Sequence, residues 1–203
     1  TLYSLCLDYI KNHTEEIVSI EGVPFHPTIE VILNHVFTST DSPLNSSFLS
    51  AVAKSYDDEL RSANLPWTKV VLSKGASRSA IPSFIALSTE FPKFITHLDI
   101  SRCNIDDDDL LLLKGFSNLK VLHMCHNPDI SDIGISYLTN MAVSSFIGMP
   151  YLEGLNLSGL SRVTDKSLKC FRKLSSIIYL NISNTSVIDI VAQKFLTSLG
   201  FHQ

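Results

Sequence analysis

The stretch ITHLDISRC, residues 95–103, alternates apolar and polar side chains and then breaks at a cysteine. In an extended chain successive side chains point to opposite faces. Leu98 and Ile100 therefore share a buried face, while His97, Asp99 and Ser101 share the other. The same frame, L-x-x-L-x-L-x-x-N/C, returns in LKVLHMCHN (119–127), LEGLNLSGL (152–160) and IIYLNISNT (177–185). A degenerate copy, WTKVVLSKG (67–75), precedes them. The first positions, 67, 95, 119, 152 and 177, stand 28, 24, 33 and 25 residues apart. Recurrence in one register at such a period marks a stacked repeat architecture.

The frame itself is that of leucine-rich repeats, and the expected fold class is α/β. A short parallel sheet would line the concave side of a curved solenoid, with helices on the convex side. Helical returns are expected at 109–113, 134–139, 166–171 and 190–199, one after each full copy of the frame. The slot held by Cys103 and Asn127 falls where the chain leaves the strand. There a buried Asn can hydrogen-bond free backbone groups along the stack, and a Cys fills space. Solenoid ends expose apolar faces, so both need covers. VAQKFLTSLGF (191–201) suits one end.

Residues 1–64 suit the other, as a helical N-terminal cap, leaving 65–203 as the repeat domain. Leu2, Leu5, Cys6, Tyr9 and Ile10 recur at helical spacing. A second helix is expected over 27–37, with Pro27 in its first turn and Ile29, Ile32, Leu33 and Val36 on one face. A third runs through Phe48, Val52 and Ala53 to Leu60. The third full repeat is enlarged by MAVSSFIGMP (141–150), expected as a loop or a longer helix on one face.

Composition narrows the function. The chain has 203 residues, 45% hydrophobic and 18% charged, with net charge −4. A chain this apolar buries a full core, which excludes wholesale disorder. The acidic balance argues against broad capture of nucleic acid, whose affinity comes from neutralising phosphates. A weak role through Lys69, Lys74 and Arg102 ranks last. No apolar run is long enough for a membrane helix. The four cysteines are scattered with no C-x-x-C pair, as for reduced thiols of a cytoplasmic or nuclear protein. Three of the five N-x-S/T triplets fall in the repeat frame itself. There is no P-loop, G-x-G-x-x-G, G-x-S-x-G or H-E-x-x-H, so no enzyme and no cofactor are expected.

The whole chain resembles the family of leucine-rich repeat-containing protein forty-two. The resemblance is carried by LDISRCNIDDDD (98–109), SDIGISYLTNMAVSSFIGMPYLEGLNLS (131–158) and the ending VTD (163–165), YLNISNTSVIDI (179–190) and FLTSLGF (195–201). It implies the fold and protein binding, and no reaction. ISDIGISYL (130–138) and VTDKSLKCF (163–171) are similar to the cysteine-containing repeats common in F-box-type ubiquitin-ligase receptors. TLYSLCLDYI (1–10) and LNISNTSVIDI (180–190) resemble the zyg-type leucine-rich substrate receptors of cullin ubiquitin ligases.

Three surfaces follow. Thr1-Leu2-x-x-x-Cys6-x-x-x-Ile10 has the form of an elongin-binding box, which lays Leu2, Cys6 and Ile10 into a groove on elongin C. Val23-Pro24 with Ile29 and Ile32 loosely matches a cullin-selecting segment downstream. The same helical stripe would equally serve a cap. The concave face offers His97, Asp99, Arg102, His123, His126, Tyr179 and Asn181, with Arg102 and Tyr179 the best anchors by residue type. In the insertion, Phe146 and Met149 would form an apolar contact patch if exposed. His97, Asp99, His123, Cys125 and His126 lack metal-ligand spacing, so no metal is expected there. The acids at 106–109 suit a helix start rather than a calcium loop. The expected function is a non-catalytic interaction module, monomeric when alone. Its favoured role is a substrate receptor or adaptor binding elongin B–C and a cullin. The alternative is a scaffold subunit of another intracellular assembly.

Overall fold

The computed structural model describes residues 1–38, 43–62, 68–72, 80–140, 142–143, 146–147 and 149–200, with backbone alone at 142–143 and 146–147. The N-terminal third is helical. Helix α1 (Leu2–Asn12) opens on Thr1, whose hydroxyl accepts from the Ser4 amide at 3.3 Å. A turn at Thr14–Glu16 follows, then a wide turn at Phe25–Ile29 that leads into α2 (Glu30–Thr38). Pro27 thus lies in that turn, ahead of the regular helix.

Asn45 starts α3 (Ser46–Ser55) by accepting from the Phe48 amide at 2.7 Å. The expected third helix does not run unbroken to Leu60. It stops at Tyr56 and resumes as α4 (Asp57–Ser62). Tyr56 is buried, and its hydroxyl reaches the carbonyls of Ile20 at 3.2 Å and Val23 at 2.5 Å. A buried phenol needs an acceptor, and here it ties the break to the preceding loop.

Strand β1 (Lys69–Val71) begins a run of strand-and-helix units. It is followed by α5 (Ala80–Glu90), β2 (His97–Asp99), a 3-10 segment at Asp109–Gly115 and β3 (Val121–His123). Then come α6 (Asp132–Asn140), β4 (Ala142–Val143), β5 (Phe146–Ile147) and β6 (Gly154–Asn156). A 3-10 turn at Asp165–Ser167, α7 (Leu168–Phe171), β7 (Tyr179–Asn181) and α8 (Asp189–Ser198) complete the chain. Helix α5 fills the return after the degenerate first copy, where none was expected. Pro82 sits in its first turn, where a missing amide costs nothing, and Phe84, Ala86 and Leu87 are buried.

The five longer strands make one parallel sheet in the order β1-β2-β3-β6-β7. The architecture is a mixed α/β, solenoid-like succession of units. Its register aligns the copies of the frame position for position. Lys69, His97, Val121, Gly154 and Tyr179 align, as do Val71, Asp99, His123, Asn156 and Asn181. Between them Val70, Leu98, Leu122 and Leu155 are buried and Leu180 half-buried. The insertion holds a two-stranded antiparallel pair, β4 with β5, in place of the expected loop or longer helix.

One apolar core runs from Ile20 to Leu174 and joins the helical third to the sheet units. Ile29, Leu33, Phe48 and Leu49 contribute from the first region, Phe84, Leu98, Leu122 and Leu155 from the second. Two polar devices knit neighbouring units. Asn127 is fully buried. Its Oδ1 accepts from the amides of Cys103 (3.0 Å) and Ile105 (3.4 Å), and its Nδ2 donates to the carbonyls of Ile100 and Met124, both at 3.0 Å.

The second device is a row of aspartates, each accepting from the unit that follows. Asp107 Oδ1 takes the amides of Ser131 (2.7 Å) and Gly134 (3.0 Å), and its Oδ2 takes the Ser131 hydroxyl. Asp132 accepts from the Thr164 amide (2.8 Å) and hydroxyl (2.7 Å) and from the Ser167 hydroxyl. Asp165 accepts from the Ile188 amide at 2.8 Å. Among the described residues no helix is long and apolar enough to cross a membrane.

Candidate functional site

Helix α1 is the outlier in burial. None of its residues is buried, and Leu2, Leu5 and Tyr9 are 79%, 69% and 54% exposed. Cys6 is exposed as well, so Leu2, Leu5, Cys6 and Tyr9 form an uncovered apolar stripe. Ile10 does not join them. It is half-buried against the core, alongside Leu7. Each four-residue step on an α-helix advances about 40° around the axis, so by Ile10 the stripe has swung toward α2. Of the three predicted box anchors, two are free and the third packs inward. Ile29 and Ile32 of the loosely matched cullin segment are in the core, so they are not available to a partner.

Where α1 meets α2 there is an apolar hollow of about 300 Å³, lined by Tyr9, Ile10, Ile17, Ile20, Val23 and Ile32 among others. Along its rim Tyr9 stacks on His13, with ring centroids 4.2 Å apart, and donates to Glu16 Oε2 at 2.9 Å. The hollow continues the exposed stripe.

The outward face of the sheet, predicted to be concave, presents the expected residues from adjacent strands. His97 and Asp99 stand beside Val121 and His123, and Tyr179 and Asn181 lie on the last strand, β7. Two of these polar residues, and Asn156 on β6 between them, are partly committed. Asp99 Oδ1 accepts from the Ser101 amide (2.9 Å), Asn156 Oδ1 from Ser158 (3.2 Å) and Asn181 Oδ1 from Ser183 (3.0 Å). These side chains shape the turns that end their strands. Burial, with Lys69 and Lys120 nearby, holds the His97 pKa below the ordinary histidine value, which favours a neutral ring.

Just past the strands, Arg102, His126 and Asn184 all have φ near +55°, at 58°, 55° and 55°, and Gly159 has +75°. This shared left-handed position throws Arg102, His126 and Asn184 outward at one rim of the sheet. The His126 ring lies over Gly159, where a Cβ would meet Cε1 at 2.6 Å. Tyr179 is 54% exposed, and the neighbouring Ile178 is 75% exposed. Beyond β7, an open cleft of about 590 Å³ separates that strand from α8, with Leu180, Ile182, Val187 and Leu196 on its walls. The closing helix buries only Ala192.

The insertion behaves differently from the expectation. Met149 is 2% exposed and belongs to the core, so it cannot serve a surface patch. The side chain of Phe146, with Met141, Lys74, Ser73, Trp67 and Phe201, lies outside the described residues. Among the described residues the one group of three metal-capable donors within 4.8 Å of one another is His13, Glu15 and Glu16. His97, Asp99, His123, Cys125 and His126 make no such group.

Sequence reasoning passed over Leu5 and Tyr9 as surface residues, reading them as part of a capping stripe. It also passed over His13 and the two glutamates. The signal available for the latter was the compact H-T-E-E at the end of a helix (13–16).

No protein-family model and no curated protein matches the chain. Among solved structures it is similar to one chain of the crystal structure of the Rad7 and Elc1 complex in yeast. The identity is 18% and the TM-score 0.51, over 97% of this chain and 49% of that one. This chain therefore spans about half the length of that neighbour. It is also similar to leiomodin-1 actin-binding site 2, at 12% identity and TM-score 0.45, over 70% of this chain and 88% of that one. At such identities the likeness concerns the fold alone.

Proposed function

We propose that this chain is a non-catalytic leucine-rich-repeat interaction module, and that α1 docks it onto an elongin B–C pair. On this reading it belongs with the repeat family it resembles in sequence and acts in the cytoplasm or nucleus as a receptor or adaptor subunit. The observation that carries the reading is the uncovered stripe of Leu2, Leu5, Cys6 and Tyr9 on a helix of box-like sequence. An apolar helix face left in water costs free energy that a groove recovers. Fully burying a Leu side chain contributes about 1.5–3 kcal/mol. Leu2 at 79% and Leu5 at 69% exposure have most of that still to gain.

Helix-in-groove recognition reads such a face through anchors three and four residues apart. The inward turn of Ile10 moves the stripe's centre of gravity to Leu5 and Tyr9. A fold neighbour crystallised in the Rad7 and Elc1 complex is consistent with this architecture working beside a second subunit. The concave face, with Arg102, His126 and Tyr179 on a pre-formed sheet, would then present a separate surface to a substrate.

The test is co-purification with elongin B–C, wild type beside Leu2→Ala/Cys6→Ala and Leu5→Ala/Tyr9→Ala. Binding lost in variants that still melt cooperatively supports the docking role. Absence of binding by the wild-type chain at micromolar concentration removes it. The second reading is then a scaffold that works through the concave face. It is favoured by the uninterrupted register of outward side chains from Lys69 to Tyr179.

A further inference from the structure

We propose that His13, Glu15 and Glu16 form a binding site for a divalent transition-metal ion, with zinc the best match to the donor set. His13 Nδ1 stands 3.5 Å from Glu15 Oε1 and 3.8 Å from Glu16 Oε1, and all three donors lie within 4.8 Å of one another. Zinc bonds of about 2.0–2.2 Å in a tetrahedron put neighbouring donors roughly 3.3–3.6 Å apart. The two His13 contacts therefore lie within about half an ångström of that spacing, and the two carboxylates within 4.8 Å of each other. A nitrogen with two carboxylates suits zinc, whereas magnesium and calcium favour all-oxygen shells.

Tyr9 orients two of these donors. The Tyr9 hydroxyl donates to Glu16 Oε2 at 2.9 Å, which leaves Oε1 turned toward His13. The Tyr9 ring stacks on the imidazole at 4.2 Å and 22° between planes, which fixes its tilt. Partners of this kind around a ligand set its direction and basicity.

Charge points the same way. His13 caps the C-terminal end of α1, where the helix dipole is negative and favours a cation. The nearest lysine on that helix, Lys11, is occupied by Asp8 at 2.7 Å. Two carboxylates at a helix C-terminus are thus left for one positive partner. A bound ion would pin the end of α1 to the turn that follows. A fourth position, open to solvent, would hold water or a donor from a partner protein. The inference stands whether or not α1 docks on elongin.

The test is isothermal titration of the intact chain with zinc chloride, with calcium and magnesium chlorides in parallel. One equivalent of zinc should bind, with no comparable binding of the other two ions. His13→Ala and the double variant Glu15→Gln/Glu16→Gln should each weaken it at least tenfold. Tyr9→Phe should weaken it by about tenfold through the orientation of Glu16. His26→Ala, which breaks the separate His26–Glu30 contact at 2.7 Å, should leave it unchanged. Melting of each variant without zinc controls for folding. Nitrogen-detected NMR should show the ion on His13 Nδ1. Zinc binding that survives His13→Ala, or that disappears in Cys6→Ser instead, overturns the site. So does a wild-type chain that takes up no zinc, which would leave His13 as an ordinary ion-pair partner of the two glutamates.

Discussion

Gly134 and Asp107 are fitted to each other across two successive units: the Gly134 amide donates to Asp107 Oδ1 at 3.0 Å, and a Cβ on Gly134 would collide with that same oxygen. The carboxylate is held there by the Ser131 amide and hydroxyl, at 2.7 and 2.6 Å. A glycine in a helix normally costs about 1 kcal/mol relative to Ala. Here Gly134→Ala should instead destabilise by about 1–3 kcal/mol, because it dislodges an acceptor serving three donors. In an Asp107→Ala background the penalty should shrink, leaving only the approach to Leu110 Cδ1 at 2.9 Å. Urea unfolding of the four chains should give a coupling above about 1 kcal/mol. Simple additivity would show that the fit carries no energy.

Asn127 should be the most costly polar residue to truncate. Its amide makes four hydrogen bonds in a fully buried position. Asn127→Ala leaves two backbone amides and two carbonyls short of a partner away from water. At roughly 1–3 kcal/mol for each such group before relaxation, a loss of about 3 kcal/mol or more is expected. Asn156→Ala, half-buried on the outward face of the sheet, is the comparison and should cost under about 1 kcal/mol. Equal losses in the two would remove the case for the buried amide.

Asp132 gives the fold an acid-sensitive joint. Burial on its own would raise this carboxyl, but the Ser167 hydroxyl and the Thr164 hydroxyl and amide outweigh it, and the pKa ends below the ordinary 3.8. A depressed folded-state value contributes stability that is present above pH 3.8 and lost as pH falls through the folded value. Asp132→Asn should therefore be less stable at pH 7, and the gap to wild type should narrow below pH 4. Urea midpoints at pH 7, 5 and 3 measure it. A gap that stays constant would place the effect of Asp132 outside its charge.

What could be read from the sequence followed the strength of the local signal. The alternation in 95–103 and its copies decided the strand register outright, since a slip of one residue would put Leu98 and Leu122 in water. The slot at Asn127 was readable for the same reason: a polar residue at a buried position must find backbone partners. The aspartates were not. An Asp stands four or five residues beyond the slot in each of three units, at Asp107, Asp132 and Asp165. The run at 106–109 hid that periodicity behind a helix-start reading. That reading holds in part, because Asp106 Oδ1 accepts from the amides of Asp108 and Asp109. Helix α5 was missed where the frame itself is degenerate, and the β4–β5 pair where an insertion has no frame. The candidate surface was half legible. Helical spacing located the stripe on α1, but which third of it faces water depends on how α2 packs, and that is a tertiary fact.

The thiols separate cleanly by environment. Cys6 is exposed, while Cys103, Cys125 and Cys170 are buried. Burial, with the Asp99 charge adding to it, pushes the Cys103 thiol up to about 11, so it stays protonated and unreactive at neutral pH. Native chain at pH 7.5 should label once with iodoacetamide, at Cys6, and four times after unfolding. A raised thiol value also means that stability falls as pH rises from 9 toward about 11, because the unfolded thiol gives up its proton first. Rapid native labelling at Cys103 would contradict its placement.

The stripe on α1 and the core beneath it should part company in a stability measurement. Leu2→Ala, Leu5→Ala and Cys6→Ala remove side chains that touch little of the fold, and each should shift the unfolding free energy by no more than about 0.5 kcal/mol. Leu33→Ala, at a fully buried position in the same helical region, should cost about 2–5 kcal/mol. This contrast makes the docking test interpretable, since a binding defect in the first three cannot then be blamed on folding. Leu7→Ala, half-buried between the two sets, should fall in between. If Leu2→Ala or Leu5→Ala cost as much as Leu33→Ala, the helix face is already covered in solution, and α1 is a cap rather than a docking element.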